Sequence, residues 1–150
     1  MSNKIIVYGS RMLARMLYYD SLRHPDFKIE AFVQDESYLD KSGYYLGLPL
    51  VGFKSVTEYY PTSSYDMIVL TASYDDMRNR ESLYRKAKAL GYNLRNYLSP
   101  SSIVSPDVEM GDNNLILEQV YLGAKGRMGS CNTIRQQVYI GHDFTLGNIM

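Results

Sequence analysis

The turn after the first predicted strand has the residue types of a phosphate-binding loop, with one departure. A dinucleotide-binding turn has the pattern Gly-x-Gly-x-x-Gly or Ala, in which bare backbone approaches a pyrophosphate at a helix N-terminus. The chain has Gly9-Ser10-Arg11-Met12-Leu13-Ala14 here, so Arg11 replaces the middle glycine. Its guanidinium could donate two hydrogen bonds to a diphosphate. The other interpretation is a surface arginine on a fold that has lost this site.

Further polar and small residues follow the predicted strands on the same side of the sheet. Asp35 ends the second strand, and Thr71 and Ala72 end a later one. Ligands of parallel sheets bind beyond the carboxyl ends of the strands, where an acidic residue can contact a ribose or a base edge. A plain turn aspartate is the alternative for Asp35. The predicted substrate-binding edge consists of Gly9, Ser10, Arg11, Asp35, Thr71 and Ala72.

A second candidate group is His142 with Asp143, near the end of the chain. Neutral imidazole can accept a proton near pH 7, and an adjacent carboxylate can orient the ring or support its charge. His142 follows Ile140 by two residues, and we predict that it points outward. Strict alternation along a strand would turn Asp143 away from His142. A solvated exterior histidine is the other interpretation.

The composition of the chain limits the kinds of molecule that it is expected to bind. The 150 residues carry 16 basic and 16 acidic side chains, so the formal charge is zero and we expect no nucleic-acid or membrane partner. Cys131 is the single cysteine, which excludes an internal disulfide. No leader and no apolar run of about 20 residues occurs near Met1, which predicts a cytoplasmic protein. No metal site is predicted.

Residues 1–98 alternate short apolar strands with helices, which predicts a small α/β domain. A mostly parallel sheet with helices on both faces is typical of this order. One strand, 48–52, is expected at the sheet edge because Pro49 cannot donate a ladder hydrogen bond. Strands are predicted at 4–8, 28–34, 48–52, 65–71 and 93–98, and helices at 11–22, 55–60 and 75–90.

Residues 99–150 form the second predicted domain and repeat every six positions. Neither a helix, with a period of about 3.6, nor a strand, with a period of 2, has this spacing. Hexapeptide repeats indicate a β-helix, a β-solenoid with three short strands per coil; a β-sandwich with coincidental spacing is the alternative. We expect these aliphatic markers, and the residue four after each, to point inward: Val104, Met110, Ile116, Leu122, Met128, Ile134, Ile140 and Leu146.

Glycine directly follows five of the markers, at Gly111, Gly123, Gly129, Gly141 and Gly147. A glycine suits a corner where φ is positive or where two backbones approach closely. Either role would let successive coils stack on one another.

The two halves together resemble the bacterial nucleotide-sugar acyltransferases of the PglD and NeuD type, through residues 5–9, 76–80, 97–100 and 140–147. The resemblance implies a Rossmann-like domain joined to a left-handed parallel β-helix, a homotrimer, and acetyl transfer from acetyl-CoA to an amine or hydroxyl of a sugar on a nucleoside diphosphate. It also implies that His142 is the general base, in a groove between subunits, with Asp143 beside it.

The repeat covers only about two and a half coils of eighteen residues from Val104 to Met150. The family's β-helix runs several coils further, and those coils bind acetyl-CoA. The resemblance therefore implies that the donor-binding coils are missing and that the chain transfers acetyl groups poorly or not at all. A truncated piece and a naturally short protein both remain open.

Two other functions compete with acetyl transfer. One is a non-catalytic module that binds a nucleotide sugar or forms trimers. The other is an NAD-dependent oxidoreductase, which needs the glycine that Arg11 replaces.

Overall fold

The computed structural model describes residues 4–70 and 77–148. The chain divides into two compact units, Met1–Leu94 and Arg95–Met150. The sequence predicts the boundary four residues later, after residue 98. The difference arises because Tyr97 and Leu98 do not extend the sheet of the first unit but pair with Leu115 and Ile116 of the second.

The first unit contains a five-stranded mixed sheet in the order β3-β4-β2-β1-β5. Strands β4, β2, β1 and β5 are parallel, and β3 runs antiparallel to β4. The apolar runs of β1, β2 and β5 are the most buried, and β1, β2 and β4 have the predicted bounds. The strands are β1 Lys4–Tyr8, β2 Lys28–Gln34, β3 Tyr44–Tyr45, β4 Leu48–Gly52 and β5 Asp66–Val69.

The prediction that β4 lies at the sheet edge is wrong. The short strand β3 covers it, with Tyr44 opposite Pro49 and the N–H of Leu50 donating to the carbonyl of Gly43 at 2.8 Å. Pro49 is tolerated because pairing with β2 begins only at Leu50, so its missing N–H leaves no ladder bond unmade. The true edge strand is only two residues long, which limits the unpaired backbone it presents.

The described residues of the first unit include the α-helices α1 Met12–Ser21, α2 Val56–Tyr59 and α3 Met77–Ala89, and two short 3-10 helices, Glu36–Tyr38 and Phe53–Ser55. Ala14 and Leu17, three residues apart on α1, are buried. None of the helices in residues 4–70 and 77–148 has the length and hydropathy to cross a bilayer. One core cluster joins the sheet to its helices and comprises Ile6, Tyr8, Ala31, Val33, Val56, Met67, Val69, Leu83, Ala87, Tyr92 and Leu94.

The second unit is built from two-residue strands that form three parallel sheets. Each strand pairs in register with the strand eighteen residues further on, so that Leu122 lies between Val104 and Ile140. Three strands per eighteen residues confirm the hexapeptide prediction, and the β-sandwich alternative is wrong. The strands are β6 Tyr97–Leu98, β7 Ile103–Val104, β8 Glu109–Met110, β9 Leu115–Ile116, β10 Tyr121–Leu122, β11 Arg127–Met128, β12 Thr133–Ile134, β13 Tyr139–Ile140 and β14 Thr145–Leu146.

The inward direction of the markers is confirmed. Each marker is the second residue of its strand, and Leu98 begins the series one strand earlier. Val108, Val120 and Val138, four residues after a marker, join the same core. The marker residues in this core are Leu98, Val104, Met110, Ile116, Leu122, Met128, Ile134, Ile140 and Leu146.

At the corners between strands, one of the two roles predicted for glycine, a positive φ, is wrong. The glycines that follow the markers do not have positive φ; the residue three after a marker does, with φ between +56° and +64° at Asn113, Gln119, Lys125, Cys131, Gln137 and Asp143. The predicted close approach is confirmed at Gly123, where a Cβ would lie 2.6 Å from the backbone nitrogen of His142. It is absent at Gly147, where a Cβ would meet no described atom within 4 Å.

A ladder of three asparagines, Asn96, Asn114 and Asn132, connects successive coils. The Oδ1 atom of Asn96 accepts from the N–H of Asn114 at 2.8 Å, and Oδ1 of Asn114 accepts from the N–H of Asn132 at 2.9 Å. Each side-chain amide also donates to the carbonyl fifteen residues further on. Asn114 and Asn132 are fully buried. Both side-chain amide groups therefore donate within the stack, and the Oδ1 atom of Asn114 accepts there, as burial requires.

Candidate functional site

His142 and Asp143 lie at the corner that follows β13, and their side chains touch. His142 Nδ1 is 2.5 Å from Oδ2 of Asp143, and the two side chains are 81% and 62% exposed. The expectation that alternation separates them is wrong. Asp143 is not in extended backbone: its φ is +59°, and the left-handed corner brings its carboxylate back to the ring. The predicted outward direction of His142 is confirmed.

The backbone around this pair is fixed by the coil beneath it. The N–H of Asp143 donates to the carbonyl of Ala124 at 2.8 Å, and the N–H of Gly123 donates to the carbonyl of Ile140 at 2.8 Å. Gly123 leaves room for the close approach of His142. Hydrogen bonds to the neighbouring coil therefore fix the backbone that carries the imidazole.

The contact also defines what the ring can do. When Nδ1 carries the proton and donates it to the Asp143 carboxylate, Nε2 is the nitrogen with a free lone pair. The carboxylate favours that tautomer and stabilises the ring after it gains a second proton. An exposed imidazole oriented in this way is equipped to accept a proton from a bound nucleophile.

Gly9 brings the carboxyl ends of three strands together in the first unit. Its N–H donates to the carbonyl of Val33 at 2.9 Å, and Leu70 donates to the carbonyl of Tyr8 at 2.9 Å. Gly9 has φ +146°, and a Cβ there would lie 2.5 Å from the carbonyl oxygen of Leu70. Only glycine fits at this position, as the motif predicts.

Ser10 and Asp35 are also held at this edge by hydrogen bonds. Ser10 Oγ accepts from Nε2 of Gln34 at 3.1 Å. Asp35 Oδ1 accepts from the hydroxyl of Tyr8, a buried residue at the end of β1. Burial, and then the adjacent Asp35 carboxylate, raise the pKa of Tyr8 above its usual value. Tyr8 therefore stays protonated and donates the hydrogen bond to Asp35. The sequence does not indicate this role, because Tyr8 lies in an apolar run.

Arg11 contacts aromatic side chains. Its guanidinium carbon lies 5.6 Å from the centre of the Tyr38 ring, and its carbonyl accepts from the hydroxyl of Tyr45 at 3.2 Å. Arg15 lies over the Tyr45 ring at 5.9 Å. The sequence prediction missed Arg15, Tyr38 and Tyr45, because the chain's fifteen tyrosines show no regular spacing.

The predicted residues thus fall into two groups, one in each unit. Gly9, Ser10, Arg11 and Asp35 gather at one edge of the mixed sheet, as expected. Thr71 and Ala72, assigned to the same edge, lie outside the described residues. Within 4–70 and 77–148, no three His, Cys, Asp or Glu side chains come together as a metal-binding group.

Solved structures of other proteins are similar to this chain in fold. A histidine-to-asparagine variant of perosamine N-acetyltransferase from Caulobacter crescentus, solved with CoA and GDP-perosamine, matches with a TM-score of 0.82 over 96% of this chain, at 23% sequence identity. The acetyltransferase domain of PglB from Neisseria gonorrhoeae, solved with acetyl coenzyme A, matches with a TM-score of 0.81 over 98% of this chain, at 18% identity. The chain has the fold of these acetyltransferases.

The likeness is one of fold, and the lengths differ. The chain spans 65% of the perosamine enzyme and 68% of the PglB domain. No family model matches the sequence, and no curated protein matches it.

Proposed function

We propose that this protein is an acetyltransferase that moves an acetyl group from acetyl-CoA to an amine or hydroxyl of a nucleotide-linked sugar, in surface-glycan synthesis. The observation that carries the proposal is the exposed His142–Asp143 pair on a β-helix-like coil. Its support is the fold shared with two acetyltransferases, one of which was solved with CoA and GDP-perosamine.

The proposed reaction uses Nε2 of His142 as the base. For an amine acceptor, the nitrogen attacks the thioester carbonyl carbon and His142 accepts the proton that the nitrogen loses. The C–S bond then breaks, and the protonated His142 gives that proton to the CoA sulfur, which leaves as the thiol. The products are the acetylated sugar and free CoA. The Asp143 carboxylate holds Nδ1–H throughout and stabilises the transient imidazolium.

The sheet edge of the first unit is the proposed binding site for the sugar nucleotide. Gly9 allows close approach of a ligand to backbone, and Ser10, Arg11 and Asp35 offer polar groups beside it. Thr71 and Ala72 belong to the same proposed site. Within this proposal the first unit is Rossmann-like, the coils are left-handed, and the protein is a cytoplasmic homotrimer.

An acetyl-transfer assay with His142 variants tests the proposal. The acceptors are GDP- and UDP-linked 4-amino-4,6-dideoxy sugars, and release of the CoA thiol reports turnover. Both the 150-residue chain and any longer product of the same reading frame are assayed. We expect His142→Ala to abolish turnover without changing sugar-nucleotide affinity, while His24→Ala, the matched control at the other histidine, leaves turnover unchanged.

Two outcomes would contradict this function. Unchanged turnover in His142→Ala would remove the histidine from the reaction. Sugar-nucleotide binding without any turnover, in a product that includes further coils, would instead favour the non-catalytic module.

A further inference from the structure

Two arginines at the start of α1 form a pair of positive charges on one helix face. Arg15 donates its N–H to the carbonyl of Arg11 at 3.0 Å, so the two side chains are one helical turn apart. Both are exposed, and neither forms an ion pair with any acidic residue of the described segments. This local positive charge is notable in a chain whose formal charge is zero.

The placement of this arginine pair opposes helix stability. Like charges four residues apart repel each other, and a positive charge near a helix N-terminus opposes the helix dipole. The first turn of α1 contains no acidic residue that would compensate. A bound anion would relieve both effects.

Tyrosine rings hold the two guanidinium groups. Tyr38, in the turn after β2, lies under Arg11, and Tyr45, in β3, lies under Arg15. The Tyr45 hydroxyl also fixes the backbone of Arg11. A cation–π contact uses the face of the guanidinium and leaves its in-plane N–H donors available for an anion.

The nearest acidic residues in sequence to Tyr38 have other partners. Asp35 accepts from the Tyr8 hydroxyl, and the Glu36 carboxylate accepts from the N–H of Lys54 at 3.0 Å. Neither carboxylate forms an ion pair with Arg11 or Arg15 in the described structure. Within residues 4–70 and 77–148, no carboxylate therefore neutralises the charge of the pair.

We propose that Arg11 and Arg15 together bind the diphosphate group of a nucleoside diphosphate. Two planar guanidinium groups can each bind one phosphate in a bidentate manner. Arg11 follows Gly9 by two residues, at the carboxyl end of β1, where ligands of such sheets bind, and Arg15 lies one helical turn further along α1. Side-chain donors would then replace the backbone donors of the glycine motif. The inference rests on the proposed function in taking this ligand to be the nucleotide of the acceptor sugar.

Isothermal titration with GDP, UDP, GMP and guanosine tests the arginine pair directly. We expect both diphosphates to bind more tightly than GMP, and guanosine to bind least. Arg11→Gln and Arg15→Gln should each weaken GDP binding on the order of tenfold, because each removes charged hydrogen bonds. Arg85→Gln, which removes an exposed arginine paired with Glu81, is the matched control and should leave GDP affinity unchanged.

Several outcomes would overturn the inference: no binding of either diphosphate, guanosine binding as tightly as GDP, or full GDP affinity in both arginine variants. Thermal unfolding checks that the variants fold, and Arg15→Gln should not lower the melting temperature. Acetyl transfer is measured separately. If turnover depends on His142 but GDP affinity does not depend on the arginines, this inference fails and the proposed function stands. If GDP affinity depends on the arginines but turnover does not depend on His142, the diphosphate site stands and the proposed function fails.

Discussion

His142 and Asp143 are consecutive in the chain, yet their side chains meet, with 2.5 Å between Nδ1 and Oδ2. The contact depends on the left-handed backbone of Asp143. A corner thereby supplies both the proposed general base and the carboxylate proposed to orient it from one dipeptide. No carboxylate from another strand or helix is needed to contact the histidine.

Asp143→Asn should lower kcat by about 10- to 100-fold, in line with the loss of a carboxylate that orients a histidine. Asparagine tolerates positive φ, so the corner should keep its shape and the melting temperature should change little. Turnover of the acceptor sugar is the measurement. Asp107→Asn is the control, since Asp107 is another exposed corner aspartate, whose carboxylate accepts from the N–H of Lys125. Equal losses in both variants would contradict a specific role.

Gly123→Ala should destabilise the protein by about 1–3 kcal/mol, the usual cost of overpacking. A Cβ there would lie 2.6 Å from the nitrogen of His142 and 2.7 Å from the carbonyl carbon of Gly141. Because backbone must move, turnover should also fall. Gly147→Ala follows another marker but meets no described atom, and it should change stability by less than about 0.5 kcal/mol. Denaturant unfolding and the transfer assay would measure both effects.

Asn114→Ala should cost about 1–3 kcal/mol of unfolding free energy, because it leaves the buried N–H of Asn132 without its partner. It also removes one of the two donors to the carbonyl of Gly129, which still accepts from the N–H of Gly111. Asn148→Ala is the matched control. Asn148 accepts from the N–H of Ser130 but is exposed, so water can replace it. Urea unfolding gives both values, and a similar small loss in each would show that the ladder contributes little.

Lys125→Gly should stabilise the second unit by roughly 0.5–1 kcal/mol, since glycine adopts a left-handed conformation without the steric cost paid by other residues. Lys125 has φ +60° and an exposed side chain. Lys125→Val at the same corner should destabilise, because a β-branched residue is strained there. Melting temperatures of the two variants should therefore move in opposite directions from that of the unmodified protein.

The first unit should lose stability as pH rises from 10 to 12. Burial raises the pKa of Tyr92 from 10.0 to about 12. The unfolded chain therefore releases this proton first, and the stability that is complete below pH 10 declines as pH rises towards 12. In Tyr92→Phe the decline should be shallower, although the hydrogen bond to the Tyr60 carbonyl is lost at every pH. Tyr44→Phe, at an exposed tyrosine, should keep the full decline.

Much of the fold could be predicted, because the positions that are buried carry apolar residues in simple patterns along the sequence. The marker series gave the three-sheet coil, and the apolar runs gave the bounds of β1, β2 and β4. The edge position of β4 was mispredicted because β3 has only two residues, Tyr44 and Tyr45, too few to show alternation. The strand pairing of Tyr97 likewise depends on Leu115, eighteen residues away.

The candidate site was only partly predictable. Gly9 could be found because no other residue fits its backbone. The Asp143 contact could not, since the left-handed corners carry no common residue type and the sequence suggested glycine instead. Tyr38 and Tyr45 reach the arginines from segments more than twenty residues away, and no local pattern marks such contacts.

The asparagine ladder makes the second unit sensitive to length. Each Asn must sit eighteen residues after the last for its Oδ1 to meet the next N–H. Inserting one amino acid between Asn114 and Asn132 would shift every later side chain to the opposite face and remove a rung at once. Natural variants of this segment should therefore gain or lose residues as whole turns of the solenoid, or as loops that bulge outward at a corner and leave the strands of successive coils in register.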